Sequence, residues 1–490
     1  MINGQKTRTT LWVYLLSMAF MGLSFYFLIK KENSWFFAFP LVLMALYYYM
    51  VSLDRVVLFI TLVTPLAVNV QLSSVGAALS IPTEPLMFAV LILFIANLLL
   101  GGHYNRRISH HPLTYLIYFS LFWMLITSLN SQMPVVSLKH LLSRIWFVVP
   151  FYFVAAAMFR KKANIHRFLL LYMLGLSAVI VYTLIRHAAY GFDEDAGHWV
   201  MTPFYNDHTA YGAALAMFLP IIVAYVFYPG LSYKKRLVAA LTSLLFVIAV
   251  ILSYSRAAWL SLVVSLVVFG FVMLRIKFRW ILLGLTLLVG ISFAFQNQIF
   301  NKLEKNKQDS TDNMLDHIQS MSNISSDASN LERINRWTSA LRMFEQRPWL
   351  GWGPGTYQFE YAPFQRASQR TVISTNTGDR GNAHSEYLGP LAEEGIPGLL
   401  GVLLLFGYTI FTGLKIFRKG NRELRYLSLM TSLGLVTYFT HGLLNDFLNT
   451  DKLSVPVWGF MAILVALETY HLPSAGKDEP AKKKPDILPA

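Results

Sequence analysis

The chain has 490 residues, of which 55% are hydrophobic, 14% charged and 15% aromatic, with a formal net charge of +15 and no cysteine. A soluble globular protein carries about 25% charged residues, so this composition excludes an ordinary soluble enzyme and points to a polytopic membrane protein with two interfaces for its aromatics to anchor. The lack of cysteine excludes disulfide-stapled ectodomains, thiolate metal sites, cysteine nucleophiles and S-acylation, and the positive excess is the kind that orients membrane loops, not a nucleic-acid footprint.

A bilayer core takes about 20 apolar residues per helix. Fourteen segments qualify as candidates, at 11–29, 34–53, 56–73, 85–100, 112–129, 144–159, 168–186, 208–228, 237–254, 257–274, 280–296, 394–417, 426–446 and 454–470. The first has no small-residue cleavage site after it and reads as a membrane helix, not a signal peptide. Only Asp54 and Arg55 separate the second from the third; as a re-entrant pair these would leave twelve. The expected fold class is an all-α polytopic membrane protein with about 12–14 transmembrane helices and one large extracytoplasmic loop. Its expected divisions are N-terminal transmembrane helices at 1–186, core helices with a short outer loop at 187–296, a large outer loop at 297–393, C-terminal helices at 394–470 and a basic tail at 471–490.

Basic residues set the orientation. With the N-terminus inside, 24 of the 41 Lys and Arg fall in inside segments, 7 in short outside loops and 10 in the long loop, where the rule does not apply. Both termini are therefore expected to be cytoplasmic. Two outside segments are longer than the rest, 187–207 and 297–383, and long loops in a chain of short ones are candidate functional regions. Within the second, "LERINRWTSALRMFEQRPWL" places Leu331, Ile334, Trp337, Leu341 and Phe344 at helical spacing. This predicts an amphipathic helix on the outer interface, broken by "GWGPGTY".

The stretch "RGNAHSEYLGPLAEEGIPGLLG", Arg380 to Gly401, joins the long loop to an apolar segment. Its His384-Ser385 pair, followed at fixed spacing by Gly395 and Gly398, resembles the signature of the O-antigen ligase and polymerase superfamily. Other blocks agree in order: "FYNDHTAYGAALAMFLP" at 204–220, "YSRAAWL" at 254–260, "RINRWTSALRMFEQRPWLGWGPGTY" before the histidine and "THGLLNDFL" at 440–448. The resemblance covers about residues 200–450. It implies a GT-C-like membrane glycosyltransferase of the bacterial inner membrane, inverting and metal-independent, without a cofactor and with its site on the periplasmic face. The implied donor is an undecaprenyl-diphosphate-linked glycan. The implied acceptor is lipid A-core, with a growing glycan or a protein as alternatives. A lipid-linked oligosaccharide transporter is the rival of another class, although the single late ectodomain argues against the two related halves it would need.

For such a substrate the chain needs donors for diphosphate charge and a base for the acceptor hydroxyl. His384, at the mouth of a membrane segment, is the candidate base. Arg256, Arg336 and Arg333 are the candidate diphosphate ligands, because a guanidinium fork matches phosphate; Arg342 and Arg347 read as solvated charges. Ser385 is expected to cap the helix that follows, and Glu393 and Glu394 to cap the next one or orient the histidine. Gly395 and Gly398 are expected to allow a tight turn and close packing. Asn206, Asp207 and His208 either hydrogen-bond sugar hydroxyls or cap the helix they precede. His441 and Asp446 are either functional or a packed pair. Asp193 and Asp195 form an acidic pair of the sort that holds a divalent ion in other glycosyltransferases; no metal is expected here.

Overall fold

The computed structural model of the protein describes residues 53–72, 77–101, 104–276, 279, 328–366 and 381–473. The candidate segments 11–29, 34–53 and 280–296 lie outside the described residues, apart from the last residue of the second. The other eleven can be compared, and ten of them are helical. These are α2 (Thr83–Leu99), α3 (Pro112–Leu129), α4 (Pro134–Met158), α5 (Lys162–Ala188), α6 (His208–Val226), α7 (Tyr233–Ile251), α8 (Arg256–Met273), α10 (Leu388–Lys419), α11 (Arg422–His441) and α12 (Asp451–His471). Helix α9 (Ala328–Gln346) lies in the long loop, and α1 (Leu53–Val63) precedes α2. Seven of the described helices, α3, α4, α5, α6, α8, α10 and α12, are long and apolar enough to cross a membrane. The chain is an all-α multi-pass membrane protein.

The candidate at 56–73 does not span. Helix α1 stops at Val63, and Thr64–Leu66 continue as a single 3₁₀ turn. Pro65, which has no N–H and crowds the preceding turn, forbids more helix. Residues Val68–Leu72 (β1) then pair antiparallel with Ala77–Ile81 (β2), Val68 opposite Ile81. The apolar run there is β-branched and alternating, a strand pattern whose apolar content alone resembles part of a span.

Helix α11 is less apolar than a lipid-facing helix because it is enclosed by protein. Ser428, Thr431, Ser432 and Thr437 are among its buried residues, so its polar atoms meet helices, not lipid. Enclosure goes furthest in α12, where every residue from Asp451 to Ala466 is buried. Asp451 Oδ2 accepts from Thr83 Oγ1 at 2.6 Å. Lys452 Nζ donates to the carbonyls of Thr64 and Ala67 at 2.5 and 2.7 Å.

The helix termini gather at two chemically different ends. At one end lie the basic runs. There Lys162 meets Glu423 at 2.9 Å, and Glu468 joins Lys415 to His111. At the other end the links are hydrogen bonds to loop carbonyls. Gln132 N donates to Trp352 O of the long loop at 3.3 Å, and Arg144 Nη1 donates to Leu448 O of the loop after α11 at 3.2 Å.

The described part of the long loop is folded onto the start of α10. Ala340 and Met343 of α9, with Tyr357, Tyr361, Ala383 and Ala392, form a core flanked by Trp352, Phe364 and Leu388. The buried stripe of α9 is therefore not the predicted one: Glu332, Asn335, Ser339 and Met343 face inward, while Leu341 is 43% exposed. Polar residues can occupy the inner face because they are paired, Glu332 with Arg336 and Asn335 with Gln365. Beyond α9, Trp352 N and Gly353 N donate to the carbonyls of Ala392 and Glu393 at 3.1 and 2.8 Å, and Ile396 N donates to Pro348 O at 2.9 Å. Glu393 completes the clamp, its carboxylate accepting from Gly355 N and Tyr357 N at 2.9 Å each. Gly353 has φ 110°, and a Cβ there would overlap Ser131. Helix α10 is broken at Gly395, whose φ of 72° and ψ of −164° belong to a region only glycine enters. Pro397 then starts the membrane-length part.

Candidate functional site

Five chain segments converge at the end of the helices opposite the basic runs. Helix α9 supplies Glu332, Arg333 and Arg336. Arg336 Nε pairs with Glu332 Oε1 at 2.8 Å, one helical turn away and nearly buried. Its Nη1 donates to Asn382 O at 3.2 Å, and the guanidinium sits 5.7 Å from the Tyr361 ring centroid. Residues 381–386 pass directly over this guanidinium, so closely that a Cβ on Gly381 would overlap it.

His384 follows in the left-handed region, with φ 46°. A residue of this size rarely sits there, and when it does it must be held. The hold is local. Asn382 Oδ1 accepts from His384 N at 3.1 Å, and His384 O accepts from Trp337 Nε1 at 3.5 Å. No hydrogen bond engages the imidazole itself among the described residues. Burial pushes its pKa down, with Arg336 and Arg333 adding to the effect and Asp207 and Glu332 opposing it, to about 4. The ring is therefore neutral at ordinary pH and able to accept a proton.

The next two residues fix the loop from the other side. Ser385 Oγ accepts from Tyr387 N and Leu388 N at 3.3 Å each, the cap expected at the start of α10. Glu386, buried, accepts from Phe447 N and Leu448 N at 2.8 Å each and from the Tyr438 hydroxyl. Its own N–H donates to Gly442 O at 2.8 Å. The loop after α11 is thereby stapled to the histidine loop. Asp446, in that loop, has its carboxyl pKa raised well above the usual range by burial and then by the nearby Glu386.

Helices α6 and α8 present their N-termini to the same place. Asp207 caps α6, accepting from Thr209 N at 2.7 Å and Ala210 N at 2.8 Å. The next residue, His208, stacks on His198 with ring centroids 4.3 Å apart and lies within electrostatic reach of Arg256 and Arg333. Arg256 is the first residue of α8. A cation there opposes the positive end of the helix dipole, an arrangement that an anion relieves. His441 ends α11 within reach of Asp207 and Arg333. It is buried, with Nδ1 3.4 Å from Asn445 Nδ2 and Nε2 without a hydrogen-bond partner among the described residues.

The structure thus brings His384, Arg333, Arg336, Arg256 and His208 into one cluster. Ser385 is in it as a cap. Asn206 is exposed and makes no side-chain hydrogen bond among the described residues; the acid beside it does the capping. Glu393 and Glu394 do not orient His384. Glu393 clamps the glycine loop, and Glu394 lies against Gly398 and lines a small cavity with Arg144 and Glu386. Gly395 and Gly398 are structural. Asp193 caps a short helix, Glu194–Gly197, accepting from Ala196 N at 3.1 Å.

Three residues of the cluster escaped sequence reasoning: Glu332, Asn382 and Glu386. Glu332 had a local signal, an acid one helical turn before Arg336. Asn382 had another, an Asx-type turn two residues before His384. Replacing Asn382 by Ala is expected to cost about 1 kcal/mol of stability and to lower activity at least tenfold, because His384 is then free to leave its left-handed conformation. A thermal midpoint and a transfer rate measured on the same preparation check this; an unchanged rate would mean that Trp337 and Ser385 hold the loop without it.

Residues 241–403 match the family model described as O-antigen ligase. The match contains Arg256, Arg333, Arg336 and His384 but not His208 or His441. Comparison with curated proteins gives no match.

Proposed function

We infer, from the match of residues 241–403 to the O-antigen ligase family model in a multi-pass membrane protein, that this chain moves a glycan from a polyprenyl-diphosphate carrier to an acceptor hydroxyl. The reading places the site on the periplasmic face of a bacterial inner membrane. The observation that carries it is the His384 imidazole, without a hydrogen bond among the described residues, beside Arg333 and Arg336, with Arg333 also within reach of His208 and so linked to Arg256, at one end of the membrane helices.

The acceptor oxygen attacks the anomeric carbon from the face opposite the diphosphate. The carbon–oxygen bond to the diphosphate breaks, and the acceptor proton passes to a ring nitrogen of His384. The configuration inverts, and the leaving diphosphate keeps the bonding electrons. Arg333 and Arg256 are assigned to the diphosphate oxygens. Arg336 already donates to Glu332 and the Asn382 carbonyl, so it contributes charge and holds the histidine loop as well. Diphosphate negative charge offsets the arginine field on His384 and makes the imidazole a stronger base when the donor is bound. Lipid A-core is the favoured acceptor; a second lipid-linked glycan or a protein hydroxyl would make the same chemistry a polymerase or a protein glycosyltransferase.

The test is a transfer assay with the purified protein in membranes, a lipid-diphosphate-linked glycan and these three acceptors. Product with one acceptor names the activity. No product with any of them, together with movement of the donor across the bilayer, would replace this reading with transport.

A further inference from the structure

At the end remote from His384, helices α6, α8 and α11 separate. Nearer the site they are tightly joined: Ser265 Oγ donates to Leu433 O at 3.2 Å, and a Cβ on Gly434 would press on the Met217 carbonyl. Beyond that level α6 contains Pro220, and a cavity of about 600 Å³ opens between the three helices. Its walls are apolar. Val223, Phe227, Leu266 and Phe269 line it and are 38–68% exposed. Arg422 and Arg425, both exposed, line it at the first turn of α11. Their charge is not cancelled by the acid between them, because Glu423 is engaged by Lys162 Nζ at 2.9 Å and Tyr228 OH at 3.3 Å.

A crevice lined by hydrocarbon and ending in two cations at a helix N-terminus has the polarity of an anionic lipid lying along it. We propose that this crevice binds one anionic glycerophospholipid from the leaflet opposite the His384 site, its phosphate on Arg422 and Arg425 and an acyl chain between α6, α8 and α11. The proposal is independent of the transfer reaction, since none of these residues belongs to the His384 cluster.

The experiment uses the full chain in zwitterionic phosphatidylcholine nanodiscs with graded phosphatidylglycerol, then native mass spectrometry of the released protein and its thermal midpoint. One phosphatidylglycerol should be retained in preference to phosphatidylcholine, with a midpoint raised by a few degrees. Arg422→Gln with Arg425→Gln should weaken retention by roughly thirtyfold, two surface charges' worth. Leu266→Trp, which fills the crevice and leaves the arginines, should abolish retention of the chain. Equal retention of both lipids, or unchanged retention by the double variant or by Leu266→Trp, overturns the proposal. So does inorganic phosphate reproducing the full midpoint shift, because the site would then be one for a free anion.

Discussion

Replacing His384 by Gln is expected to lower glycan transfer by about 10²–10⁴-fold, the range for loss of a general base, with little change in thermal midpoint. The residue is held by its backbone, through Asn382 and Trp337, and its ring makes no hydrogen bond to other described residues, so removing the ring leaves those links in place. The pH behaviour separates a base from a bystander. In the donor-free protein, burial and the two arginines hold His384 at about 4. Bound diphosphate opposes the arginines and moves it back toward the ordinary value of about 6.5. The acidic limb of kcat/KM, which reports the free protein, should therefore lie at lower pH than that of kcat, which reports the complex. Stability has its own sign. The unfolded histidine binds a proton below about 6.5 while the folded one stays neutral to about 4. This residue thus lowers stability as pH falls through that window, and His384→Gln should flatten the slope. Wild-type transfer by His384→Gln, or two coincident acidic limbs, would remove His384 from the chemistry.

The second large effect is structural. Gly395→Ala should leave little folded protein, a destabilisation above about 4 kcal/mol. The substitution forces a side chain into a backbone region reserved for glycine and drives its Cβ into the Trp349 carbonyl. Relief requires breaking the Ile396–Pro348 bond, and the rest of the clamp on the glycine loop is next to it. A thermal melt in detergent measures this. Gly407→Ala is the control, because a Cβ there meets nothing within 4 Å and should be neutral or slightly stabilising. If Gly395→Ala melts like the control, the break in α10 is not needed for the outer region to dock.

Where the sequence was legible, the cause was local. Helix α3 falls where it was expected, at 112–129, since Pro112 begins it and Asn130 follows it. The turn at "GWGPGTY" and the cap at Ser385 were readable for the same reason. Helix α4 begins ten residues before its expected start, because Lys139 and Arg144 count among the seven basic residues assigned to short outside loops. Yet Arg144 is held in the helix by bonds to Leu448 O and Asn449 Oδ1. The inner face of α9 was misjudged because its buried acid and amide acquire partners only in the folded state. The arginines and His384 stood out through a family pattern, but Glu386 could not. The N–H groups that donate to its carboxylate, at 447 and 448, are more than 60 residues away, and no spacing rule reaches that far.

The enclosure of α12 bears on how the protein is made. A ribosome releases this helix after all the other described ones, yet it is the one surrounded on every side. Its neighbours must enter the bilayer with their inward faces, including the Ala67 carbonyl that awaits Lys452, still unmatched. Completion of the interior thus waits for residues 451–466 to emerge. A bundle without them would lack its centre and would present quality-control proteases with an open interior.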